Sequence, residues 1–116
     1  MQKPALLPYE EEIVPYLVDC MRQVDSTVRL GAVNALQSYF KRPDLVLAPL
    51  MDCLIDINAN VRGSAVTVII KFGPVAAPAI SNLVWLARQD ADSYVRTRAA
   101  ESLRVISPER ADKEGL

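Results

Sequence analysis

The strongest constraint on what this chain can fold into is that it aligns with itself. The blocks TVRLGAVNAL (27–36), NVRGSAVTVI (60–69) and YVRTRAAESL (94–103) superimpose without gaps at offsets of 33 and 34 residues. A fixed period of that length marks stacked supersecondary units. Each block has a Val-Arg pair, with Ala32, Ala65 and Ala99 four positions after the valine and Leu36, Ile69 and Leu103 eight after it. Tyr39, Phe72 and Ile106 follow at eleven. Spacings of 0, 4, 8 and 11 fall on one face of a helix with 3.6 residues per turn, not on a strand of period 2. This decides the middle block, whose run Val66-Thr67-Val68-Ile69-Ile70 has the β-branched composition of a buried strand when taken alone.

The ends of these segments agree with helices. Asp25, Asn58 and Asp92 each stand three positions before the valine, where a side-chain oxygen can accept from the unpaired amides of a first turn. Pro43, Pro74 and Pro108 follow as stops, with Gly73 ahead of the second. A second apolar-periodic segment precedes each block: Ile13, Leu17, Cys20, Met21 and Val24; then Leu47, Leu50, Cys53 and Leu54; then Ile80, Leu83, Val84 and Leu86 or Ala87. The pattern predicts six helices, over roughly 9–24, 27–40, 44–57, 60–72, 76–89 and 94–106, paired as three hairpins. The repeats then cover about 9–40, 44–72 and 76–106, with residues 1–8 as an N-terminal extension and 107–116 as a polar tail.

Composition excludes more than it suggests. The chain of 116 residues is long enough to bury a core, and its net charge of −1 gives no overall attraction to nucleic acid or to an anionic membrane. No uninterrupted apolar run approaches the length of a bilayer span and the start has no signal-peptide pattern, so a cytoplasmic location is the expectation. Histidine is absent, which removes the commonest general base and transition-metal ligand together. No phosphate-binding glycine loop, serine elbow or Cys-His arrangement is present. The expectation is a chain without enzymatic activity, cofactor or metal.

The proline in each first helix (Pro15, Pro49, Pro78), the aspartate at the turn (Asp56, Asp90) and the Val-Arg opening of the second helix together resemble HEAT repeats, across about residues 9–106. The resemblance implies an all-α superhelix, an α-solenoid of three hairpins. It also implies that Arg29, Arg62 and Arg96 pair with turn aspartates of their own or a neighbouring repeat, as a ladder with Asp56 and Asp90. Two departures stand out: Gln23 replaces the aspartate of the first repeat, and the third has four extra residues between its proline and valine, near Trp85. Short repeats of this kind also occur in bilin lyase subunits, which gives an accessory lyase-type subunit as a further, weaker implication.

Several residues invite chemical readings that blander ones displace. Cys20 and Cys53 occupy one repeat slot on adjacent first helices, whose axes in such packing lie about 8–10 Å apart, so two small core side chains are expected rather than a disulfide. Glu10, Glu11 and Glu12 suit a helix start. Trp85 is read as core, with a partner anchor as the alternative. Counting two, six and nine positions from each valine gives the row expected to face outward: Leu30, Asn34 and Gln37; Gly63, Thr67 and Ile70; Thr97, Glu101 and Arg104. This row is neutral and partly apolar through two repeats and holds one cation, Arg104, which argues against nucleic acid. The expected function is a scaffold that binds another protein there, through Leu30, Asn34, Gln37, Thr67, Ile70, Glu101 and Arg104. The alternative is a structural homo-oligomer or part of a longer array. A homodimer seam would run along the first helix, where Tyr9, Ile13, Val14, Tyr16 and Val18 surround much of its circumference.

Overall fold

A computed structural model describes residues 6–116, and side-chain surroundings from residue 10 onward. The expectations that rest on residues 1–5 and on the Tyr9 side chain lie outside the described residues. Among the described residues seven α-helices follow in order: α1 (Leu6–Cys20), α2 (Ser26–Leu36), α3 (Pro43–Cys53), α4 (Ala59–Ile69), α5 (Ile80–Gln89), α6 (Ser93–Ile106) and α7 (Pro108–Glu114). The chain is all-α, with no strand among the described residues. Three hairpins, α1–α2, α3–α4 and α5–α6, stack so that α2, α4 and α6 pack side by side. The result is a slab of 51 × 34 × 15 Å.

Capping follows the sequence signals. Asp25 Oδ1 accepts from the Thr27 amide at 2.8 Å, Asn58 Oδ1 from Asn60 at 2.8 Å and Asp92 Oδ1 from Val95 at 3.0 Å. Each bond satisfies one first-turn donor that the helix cannot. On α4 the predicted inward residues Val61, Ala65 and Ile69 are buried, with Val68 beside them, and so is Phe72 just past the helix end. Leu47, Leu50, Cys53 and Leu54 meet it from α3 and the turn after it, and Leu83 and Leu86 are buried along α5.

Four local expectations are corrected. In α1 the buried side is centred on Val14, with Leu17 and Val18 packed beside it and Met21 buried just past the helix end, while Ile13 is exposed. Val24 is exposed too, because the helix has already ended at Cys20. The three glutamates fall after the first turn of α1, and Glu10 and Glu11 instead approach Arg42 at 3.3 and 3.7 Å. Pro78 lies in a 3₁₀ segment over Ile70–Ala79, so the extra residues of the third repeat lengthen the connection and not the helix.

The last correction concerns the segment read as a polar tail. It forms α7, capped by Ser107 Oγ accepting from the Arg110 amide, opened by Pro108 and closed by Gly115 at φ 73°. Ala111 is buried and Leu116 packs on the core.

One stretch, Ala59–Gln89, is long and apolar enough by composition to cross a bilayer, with a mean hydropathy of 1.5 in its best window. It does not fold as a single span. The backbone breaks at Gly73 (φ 58°, ψ −143°), a conformation that a side chain disfavours, and α4 and α5 bury their apolar faces within the stack.

Candidate functional site

The arginine ladder is built, and its direction is uniform. Arg29 Nε and Nη2 donate to the two carboxylate oxygens of Asp56 at 2.8 and 3.0 Å, and Arg62 does the same to Asp90 at 2.8 and 2.9 Å. Each arginine therefore grips the turn of the following repeat. Its remaining nitrogen, Nη1, donates back to its own turn: Arg29 to the carbonyls of Gln23 and Val24, Arg62 to those of Asp56 and Ile57, Arg96 to that of Asp90. Gln23 serves in this scheme through its backbone, so the missing aspartate removes no bond that a described arginine needs. Arg96 has no carboxylate partner among the described residues.

The aspartates also brace their turns, Asp56 accepting from the Asn58 amide and Asp90 from the Asp92 amide. Burial raises both carboxyl pKa values. The paired arginine, the turn amide and the neighbouring guanidinium outweigh it and hold both below the usual carboxylate range. The ladder is thus a structural spine that sets the register between repeats.

Across the second helices runs a groove of about 320 Å³ lined by Leu30 and Asn34 of α2, Ala59, Asn60, Gly63, Ser64 and Thr67 of α4, and Asp92 and Tyr94 at the start of α6. Of the predicted row it brings together Leu30, Asn34, Gly63 and Thr67. Gln37 and Ile70 stand beyond its lining; Gln37 is exposed, but Ile70 is half-buried rather than outward. Leu30 is half-buried as well and packs on the core. Thr67 Oγ1 donates to the Gly63 carbonyl and accepts from Arg98 of α6. Glu101 is held by Arg98 at 2.6 Å, and Arg104 turns to α7, where Asp112 and the Leu116 carbonyl engage it.

The predicted row missed Asn60, Ser64 and Tyr94. A second helix in a stack has neighbours on three sides, so its free arc is narrower than the half-cylinder opposite its partner helix. Position two after the valine falls against the next repeat: a β-carbon on Gly63 would lie 3.4 Å from the Tyr94 ring. The free arc instead runs one position before the valine and three after it. In the second repeat those positions are Asn60 and Ser64, and in the third Tyr94 is the exposed one, while Arg98 folds against Thr67 of α4. Trp85, read as core, is exposed on α5.

The cysteines carry free thiols. Cys53 is buried, which pushes its pKa up to about 12, with Asp56 and Asp52 adding to the rise. Among the described residues no group of side chains is placed to hold a metal ion.

Stacked antiparallel helix pairs, joined edge to edge by an Arg–Asp ladder, define an α-solenoid. The family model for HEAT repeats matches residues 14–104, more than three quarters of the chain, and the chain belongs to the HEAT-repeat family. HEAT repeats generally mediate protein–protein interaction or scaffolding, and the family is typically non-enzymatic. No curated protein matches this sequence.

Proposed function

We propose that the chain is a recognition module that binds another protein in the groove across α2, α4 and α6. The observation that carries this reading is the chemistry of the groove lining. Asn34, Asn60, Ser64 and Thr67 offer neutral donors and acceptors beside the apolar surface of Leu30 and the exposed ring of Tyr94. Amide, hydroxyl and aromatic groups of this kind suit a protein surface. The one charged group in the lining is the carboxylate of Asp92, which disfavours a phosphate backbone.

The test is to fill the groove without touching the core. Asn34→Arg and Asn60→Arg, both at exposed positions, introduce bulk and charge with a small effect on stability. Affinity capture from the native source with the double variant should lose the partner that the wild-type chain retains, at unchanged melting temperature. An identical set of captured proteins would sink the reading. Aspartate at Leu30 or Ile70 would be a poorer probe, since both are half-buried and would report folding.

A second reading keeps some support. Ile13 and Tyr16 are exposed three residues apart on α1, as a homodimer seam would require, and light scattering that shows a monomer at high micromolar concentration removes it.

A further inference from the structure

The two helical layers of the stack are not equally closed. Along the second helices α2, α4 and α6 pack continuously, but α5 leans on α6 and barely touches α3. The cause is the connection: the 3₁₀ segment with its break at Gly73 delays the start of α5 to Ile80. A cleft of about 340 Å³ opens between the C-terminal ends of α3 and α5. Leu54 and Leu86 form its buried floor. Its walls are Ile55 and Trp85, which remain 78% and 58% exposed. The Trp85 indole N–H has no hydrogen-bond partner among the described residues, and paired large apolar side chains left in water beside a preformed cleft mark interaction sites.

Charge and size together narrow the occupant. The ionic groups on the border are Asp56, Arg62 and Asp90, and each is already committed to a bidentate pair within the ladder. The cleft is therefore electrically neutral and has no charge to offer an acidic or basic side chain. Ile55 and Trp85 together present on the order of 300 Å² of surface, well short of the roughly 800 Å² per partner that a stable association of two globular surfaces buries. That area matches two or three side chains from one face of a helix laid between two helix ends.

We propose that this cleft receives the apolar face of an amphipathic helix from another protein, two or three uncharged side chains at i and i+3 or i+4 spacing, with Trp85 as the anchoring contact. It shares no lining residue with the groove across α2, α4 and α6, although the two come close at the turn before α6, where Ala91 lines the cleft and Asp92 the groove.

Trp85 is the sole tryptophan, so its emission reports the cleft directly. The probe is a displayed library of helical peptides, selected on the immobilised chain. Selected peptides should carry apolar residues at helical spacing, shift the Trp85 emission to the blue, and lose at least tenfold in affinity on Ile55→Ser and on Trp85→Ala by calorimetry. Both variants alter exposed side chains, and their melting curves identify any loss of affinity caused by unfolding. Peptides that bind both variants as tightly as the wild type, or leave the emission unmoved, overturn the proposal, as does a selection that enriches nothing. A blue shift that grows with protein concentration in the absence of peptide assigns the cleft to a second copy of the chain and overturns it equally.

Discussion

The first and second repeats place the same residues in the same slots and bury them differently. Val28 and Val61 both open a second helix ahead of an arginine, yet Val28 is 42% exposed and Val61 is fully buried. Cys20 and Cys53 share a slot, one half-buried and one buried. The rung that leaves the first repeat, Arg29 to Asp56, and the rung that leaves the second, Arg62 to Asp90, are both bidentate, but water reaches 11% of the Asp56 side chain and 1% of that of Asp90. The second repeat is flanked by a hairpin on each side and the first on one side alone. A slot in a stacked array is thus made interior by its neighbours, not by the residue in it.

The largest effect that sharpens this contrast is on the ladder. Asp90→Ala leaves the Arg62 guanidinium largely buried without its carboxylate and removes the acceptor for the Asp92 amide, at a cost of about 3 kcal/mol. Asp56→Ala should cost less. Chemical denaturation of the two variants checks the order, and an equal or larger loss for Asp56 breaks the comparison.

Next come the valines. Val61→Ala opens a cavity in the core and costs about 1–2 kcal/mol, whereas Val28→Ala stays within about 0.5 kcal/mol. Both are read as shifts in denaturation midpoint at constant slope. A Val28 loss as large as that of Val61 would mean that the first repeat is as closed as the second.

Acid acts on both rungs. Asp56 and Asp90 have folded-state pKa values below their unfolded ones. The stability they contribute is therefore fully present above the unfolded value of about 3.9 and is lost as pH falls through the folded values. Melting temperature should drop on acidification below about pH 4, and less steeply for Asp90→Asn than for the wild type. A variant that tracks the wild-type curve would remove Asp90 from the acid response.

The last contrast leaves stability untouched. With its pKa near 12 and its side chain buried, Cys53 should react with a thiol reagent at pH 8 at least about a hundredfold more slowly than Cys20. Two equally fast thiols in the native protein would contradict the burial of Cys53.

Periodicity made most of the fold legible, since the three blocks set helix type, hairpin count and the inner face of α4 before any contact was known. It failed where local chemistry departs from the period. In α1, which carries Pro15, the apolar stripe could be drawn through Ile13 or through Val14, and packing chose Val14. The signals for α7 were in the chain, Ser107-Pro108 ahead and Gly115 behind, but its polar composition outweighed them. The groove was half legible: the period shows which side of a helix faces its hairpin partner, but not how much of the other side the next repeat takes. That share depends on Gly63, where the missing side chain lets Tyr94 lie close to α4.

The ladder bonds also determine where this chain can be cut and joined. Because Arg62 reaches forward to Asp90, the hairpin that the eye separates is out of phase with the block that is self-sufficient in ion pairs. A cassette of residues 61–94, the length of one repeat offset, holds a complete Arg–Asp rung, while a cut between α4 and α5 divides one. Duplicating that cassette after Tyr94 would lengthen the array by a full rung. It would also leave Arg96 facing a carbonyl equivalent to the one it holds now, so the natural unit of exchange begins at the second helix of one hairpin and ends at the turn of the next.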